Sequence, residues 1–155
     1  MTALYYETMS MIERLHRQFM DVIKIELERA GILDINNVQC LILHNIGIDE
    51  LTVGELTVRG YYLGSNVSYN IKKMVENGYL VQERSVHDKR SVRVKLSEKG
   101  RKLDAAVGAL YTRHAAALSA AGISQTEIEK INRTLHNLET FLSGQTGNGI
   151  LSNVS

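Results

Sequence analysis

Between Leu4 and Ala30 the apolar residues Ile12, Leu15, Phe19, Ile23 and Leu27 recur at helical spacing, with Glu13, Arg17, Lys24 and Glu28 off that stripe and Gly31 as a stop. The pattern predicts one long amphipathic helix. Met9, Met11, Met20, Val22 and Ile25 widen its apolar face beyond a single stripe, which implies burial on two sides, as at a dimer interface. Three later helix starts share one local grammar. Asn36 is followed three residues on by Gln39, Thr52 by Glu55 and Ser124 by Glu127, so a cap side chain can accept from an orphan backbone N–H while the third side chain reaches back. Ile35 with Cys40, Leu51 with Leu56, and Ile123 with Ile128 occupy the flanking positions of a hydrophobic staple. Helices are therefore predicted over about 36–46, 52–59 and 124–142, closed by or near Gly47, Gly60 and Gly144. Another runs from Ser97 to about Ala121, with Leu103, Val107, Leu110 and Leu118 inward and Gly122 at its end.

Between Gly64 and Gly78 lies a short helix of different character. Val67, Ile71, Met74 and Val75 form one apolar arc, and Ser65, Asn66, Tyr69, Lys72 and Lys73 fall opposite. Two strands follow, Tyr79–Arg84 and Ser91–Leu96, the second with Val92, Val94 and Leu96 alternating with Arg93 and Lys95. The link between them, residues 85–90, is polar and basic. The order of helix, helix, helix, exposed polar helix and basic-tipped hairpin is that of a winged helix-turn-helix. The predicted class is mainly α with a small β-hairpin.

Charge sharpens this picture. The 155-residue chain has a net charge of only +1, but ten basic and four acidic side chains fall in residues 61–102, a local excess of +6 where a polyanion would bind. Residues 1–60 carry five basic and nine acidic groups, and residues 103–155 three and four. One cysteine excludes an internal disulfide and a zinc site built on paired cysteines. The five histidines are scattered singly, with no metal-ligand spacing, and there is no phosphate loop, dinucleotide fingerprint or nucleophile motif. No metal, cofactor or enzymatic activity is expected. The start MTALYYETMS lacks the charge and apolar run of a secretory signal, and no stretch is long enough to span a bilayer, so a cytoplasmic protein without a membrane partner is expected.

The stretches DINNVQCLILHNI and ELTVGELTVRGYYLGSNVSYNIKKMVENGYLVQERSVHDKRSVRVKLSEKGRKL resemble the MarR family of bacterial transcription regulators. The most specific part is Asp88-Lys89-Arg90 leading to Val94-Lys95-Leu96-Ser97-Glu98-Lys99-Gly100, similar to that family's D-x-R wing and "LTEKG" helix start. The block GYYLGSNVSYNIKKMVENGYL resembles the LdtR-like subgroup. The resemblance, over roughly residues 4–143, implies a homodimer reading a pseudo-palindromic site on double-stranded DNA. It divides the chain into an N-terminal dimerisation helix (1–31), a winged helix-turn-helix domain (32–98) and C-terminal dimerisation helices (99–143); residues 144–155, without charge and with little periodicity, are expected to form a flexible tail. Repression is the more expected sign of regulation.

A helix of this size fits the ~12 Å wide major groove, where Asn pairs with adenine, Lys with guanine, and hydroxyls with several partners. Asn66, Tyr69 and Lys72 are the candidates for base edges, and Ser65 and Lys73 for phosphate. Arg90 is the candidate for the minor groove. Ser68, Arg84, His87 and Lys89 complete the candidate DNA-binding set. Asp88, by resemblance, scaffolds the wing. Cys40 sits in an apolar run, so a small hydrophobe rather than a redox sensor is expected there. The resemblance also implies a cleft for a small phenolic or aromatic effector, near His16, Phe19, Met20, Cys40 and His44, residues that otherwise simply fill core. The alternative function is a winged-helix interaction module whose basic strip meets an acidic protein. A steep fall of affinity with salt separates DNA binding from it.

Overall fold

A computed structural model describes residues 1–60, 64–84, 86 and 91–146, with the side chains of residues 64 and 65 excepted. The elements follow in the order α1 (Thr2–Arg29), α2 (Asn37–Ile46), β1 (Leu51–Thr52), α3 (Val53–Gly60), α4 (Gly64–Glu76), β2 (Leu80–Arg84), β3 (Val92–Leu96), α5 (Glu98–Ala120) and α6 (Gln125–Thr146). The chain divides into two compact units, Met1–Gly108 and Ala109–Ser155, with the boundary inside α5.

The caps predicted from sequence form. Asn36 Oδ1 accepts from the Gln39 N–H at 2.8 Å, and Gln39 Oε1 accepts from the Asn36 N–H at 3.1 Å. Thr52 and Glu55 do the same for α3, and Ser124 and Glu127 for α6. Three helices end in one way: Gly31, Gly78 and Gly122 take positive φ, and the pairs Ile32 N–H to Leu27 C=O, Tyr79 N–H to Met74 C=O and Ile123 N–H to Leu118 C=O close each last turn.

The first unit's core is built from both ends of this grammar. Ile35 and Cys40, and Leu51 and Leu56, are all buried, together with Ile42, Leu43 and Ile46 of α2, Val67, Ile71 and Met74 of α4, Val94 and Leu96 of β3, and Leu103 and Val107 of α5. The hairpin pairs antiparallel from Leu80↔Leu96 to Arg84↔Val92. A third strand extends it: β1 pairs with β3 through Leu51↔Val94 and Thr52↔Arg93, giving the order β1-β3-β2. Two residues are too short to show a period, and Thr52 carries a helix cap as well as a strand position, so β1 leaves no separate trace in the pattern.

In the single chain the stripe of α1 is buried only at Ile23 and Leu27, and Ile12 and Leu15 are exposed. Two expectations are corrected. Leu118 is exposed rather than inward. Gly144 does not stop α6, which continues to Thr146 because nothing there forces a positive φ. The remainder of the expected tail lies outside the described residues.

Candidate nucleic-acid interface

The polar helix follows directly from its sequence. In α4, Val67, Ile71 and Met74 are buried, and the opposite side exposes Asn66, Ser68, Tyr69 and Lys72, with Tyr69 at 62% of its full accessibility. Ser65 falls in the first turn. Lys73 is half-buried, with its ammonium 3.2 Å from Glu76, so it meets a carboxylate of its own helix before any phosphate. Between α2 and α4 lies a groove of about 320 Å³ lined by Asn36, Val38, Ile42, Asn66, Tyr69 and Asn70.

Two sets of contacts hold α4 in place. Near its start, Gln39 Nε2 donates to Asn70 Oδ1 at 3.1 Å, and Asn70 Nδ2 donates to the Asn66 carbonyl at 2.9 Å. At its end, Asn77 Nδ2 donates to the Asp34 carbonyl at 2.7 Å. The Asp34 carboxylate then accepts from the Tyr79 hydroxyl at 2.5 Å and from Lys99 Nζ at 2.7 Å, while Lys99 lies 4.1 Å over the Tyr79 ring and also donates to the Asn77 carbonyl. Lys99 and the Tyr79 hydroxyl hold the Asp34 carboxyl below its ordinary 3.8. Burial, and then Asp34, push the Tyr79 phenol upward, so it stays a donor. Ser97 caps α5 by accepting from the Gly100 N–H, and its hydroxyl lies within reach of the Gly78 and Tyr79 carbonyls. A Cβ on Gly100 would overlap the Tyr79 carbonyl oxygen, so only glycine fits there. The Ser97-Glu98-Lys99-Gly100 signature thus joins the α1–α2 link, the exit of α4 and the start of α5.

In the hairpin, Lys95 and Glu83 pair across the strands at 2.7 Å, and Arg84 and Arg93 are exposed. His87, Asp88, Lys89 and Arg90 lie outside the described residues. Of the effector-site candidates, His16 is exposed, Phe19, Met20 and His44 are half-buried, and Cys40 is buried at 1%. His44 Nδ1 sits 2.6 Å from Asp104 Oδ1, joining α2 to α5. Burial, with the charge of Asp104, raises the Cys40 thiol to about 11, so it is neutral and unreactive near neutral pH. The groove beside α4, a surface cavity against α3 and another against the end of α1 are lined by other residues than these five. Among the described residues no cluster of His, Cys, Asp or Glu could hold a metal, and no helix is long and apolar enough to cross a membrane.

Sequence reasoning singled out the exposed side of α4 and missed what anchors it. Gln39 was legible as a cap, but its bond to Asn70 spans 31 residues and has no periodic signature. Asp34 and Tyr79 had no local signal either.

The fold and the α4 surface define a winged helix-turn-helix protein. Residues 33–91 match the MarR family model, and the exopolysaccharide II synthesis transcriptional activator ExpG of Rhizobium meliloti is 38% identical over 146 residues, 94% of this chain and 75% of that protein. The chain belongs to the MarR family: it is a DNA-binding transcription regulator and not an enzyme. Its fold is similar to that of Streptococcus pneumoniae FabT in complex with DNA (TM-score 0.72, 20% identity, 91% of this chain and 99% of that one). It is also similar to Staphylococcus aureus MarR in complex with salicylate and kanamycin (TM-score 0.74, 23% identity, 91% and 93%).

Proposed function

We propose that two copies of this chain pair through their terminal helices and read a pseudo-palindromic operator. Residues 65–77 of each copy enter the major groove, and the wing at 85–90 enters the adjacent minor groove. The observation that carries this reading is α4: a helix sealed by Val67, Ile71 and Met74 that presents Asn66, Ser68, Tyr69 and Lys72 together. These supply amide, hydroxyl, phenol and ammonium groups, the donors and acceptors that base edges and phosphates require. Arg84, His87, Lys89 and Arg90 add phosphate and minor-groove contacts, with Asp88 orienting the wing. Pairing is supported by α1, which leaves Leu4 and Leu15 65% and 56% exposed, and by α6, which leaves Phe141 53% exposed, large apolar side chains that a second copy would cover.

A small aromatic or phenolic effector, bound near His16, Phe19, Met20, Cys40 and His44, regulates binding in this reading. It acts by favouring one spacing of the two reading helices over another, since a ligand with equal affinity for both shifts nothing. The salicylate in the S. aureus structure supports that class of ligand. The activator named among the relatives favours positive control over the repression expected from sequence. As a regulator of bacterial transcription, the protein works in the cytoplasm.

Footprinting on genomic fragments, with and without salicylate, tests the proposal. Protection of two symmetry-related half-sites about one helical turn apart is expected. Protection of a single half-site, or none, contradicts it.

A further inference from the structure

Among the described residues Gln39 is the one amide or charged residue that is buried. Its two ends do different things. The oxygen completes the cap of α2 by accepting the Asn36 N–H, a task that glutamate performs equally well. The nitrogen, which glutamate lacks, donates to Asn70 on the recognition helix. Asn70 is engaged at both ends, because its own nitrogen donates to the carbonyl of Asn66 one turn earlier. Next to Gln39, Asn37 Nδ2 donates to the Met20 carbonyl of α1 at 3.1 Å. The first turn of α2 therefore grips α1 on one side and α4 on the other.

We infer that Gln39 is a positioning residue for sequence reading: through Asn70 it fixes the rotation of α4 about its own axis, and so where Asn66 and Tyr69 present their side chains, without touching DNA. The lever is large. Side-chain tips stand ~6 Å from a helix axis, so a roll of about 10° moves them on the order of 1 Å. A reading constellation tolerates only about 0.5 Å. The same clasp also assigns Asn70, which lies beside the reading face, to internal support instead of base contact. The inference rests on the proposed reading of DNA by α4.

The test uses the full chain and two variants that separate cap from clasp. Gln39→Glu keeps the acceptor for Asn36 and loses the donor to Asn70; Asn70→Ala removes the other partner from a half-buried surface position. Each is titrated against a duplex selected by the parent protein from a random pool and against an unrelated duplex of equal length. Both variants are expected to lower the ratio of selected to unrelated affinity about tenfold, the worth of a misplaced base contact. Affinity for the unrelated duplex should stay within about threefold, and the double variant should lose no more than either single one. An unchanged ratio in Asn70→Ala, or losses that multiply in the double variant, would overturn the inference and leave Gln39 a cap only. A parent protein that selects no sequence would instead overturn the reading on which the inference stands.

Discussion

Helices α4 and α1 are both amphipathic, and they are finished differently. In α4 Val67, Ile71 and Met74 are turned into the core and Val75 is half-buried, while Asn66, Ser68, Tyr69 and Lys72 face solvent. In α1 only Ile23 and Leu27 are buried, and Leu4, Met11, Ile12 and Leu15 remain exposed. One exposed face suits a charged, hydrated partner; the other is the face that the proposed pairing would cover with further apolar surface. The contrast maps onto charge, since the +6 segment contains α4 and the hairpin while α1 lies in the acidic flank. A net charge of +1 is the sum of a reading head and a scaffold of opposite electrostatic character.

The largest effect should come from spoiling the unfinished face. Leu15→Glu puts a charge where dimer burial is proposed and leaves the core intact. It is expected to give monomers by light scattering and to lower operator affinity by about 10²–10⁴-fold, the avidity lost when two linked half-sites become one. A dimer of parental affinity would break the contrast between the helices. Next come Asn66→Ala and Tyr69→Ala. Each should cost ~1–3 kcal/mol at the selected sequence and far less on unrelated DNA, measured by competition titration. Uniform losses on both would reassign these residues to phosphate contact.

Acid should produce a smaller change, confined to the support beneath α4. Because the folded-state pKa of Asp34 is depressed by Lys99 and Tyr79, its contribution to stability is present above the ordinary value of 3.8 and is lost as pH falls through the lower folded value. Asp34→Asn should therefore flatten the acid limb of the stability curve below about pH 4 relative to the parent. Identical acid limbs would show that the Asp34 cluster is not coupled to folding. Smallest of all, Cys40→Ala should cost on the order of 1 kcal/mol in stability from a shallow cavity and leave operator binding, with or without peroxide, unchanged. A peroxide response lost in this variant would contradict the buried, neutral thiol.

Much of this architecture is legible in the residue pattern because it is local. Capping pairs three residues apart, glycines with positive φ and the apolar arc of α4 each carry their own short-range cause. What escaped the pattern is long-range. The bond from Gln39 to Asn70, the convergence of Asp34, Tyr79 and Lys99, and the pairing of β1 with β3 join residues that share no period. The extent of α6 escaped for the opposite reason: Gly144 is a stop only where the backbone turns left-handed, and there it stays helical. The exposed side of α4 could be picked out from helical periodicity alone; the contacts that hold its orientation could not.

The central claim is that the polar face of α4 and the basic segment around it read DNA. The most direct measurement is the affinity of the parent protein for its selected duplex and for a random duplex across a series of salt concentrations, repeated with Arg84→Ala, a proposed phosphate contact. Straight, steep lines of log affinity against log salt are expected for both duplexes, with a clear offset favouring the selected one and a slope shallower by about one unit in Arg84→Ala. Shallow lines that coincide for the two duplexes would contradict it.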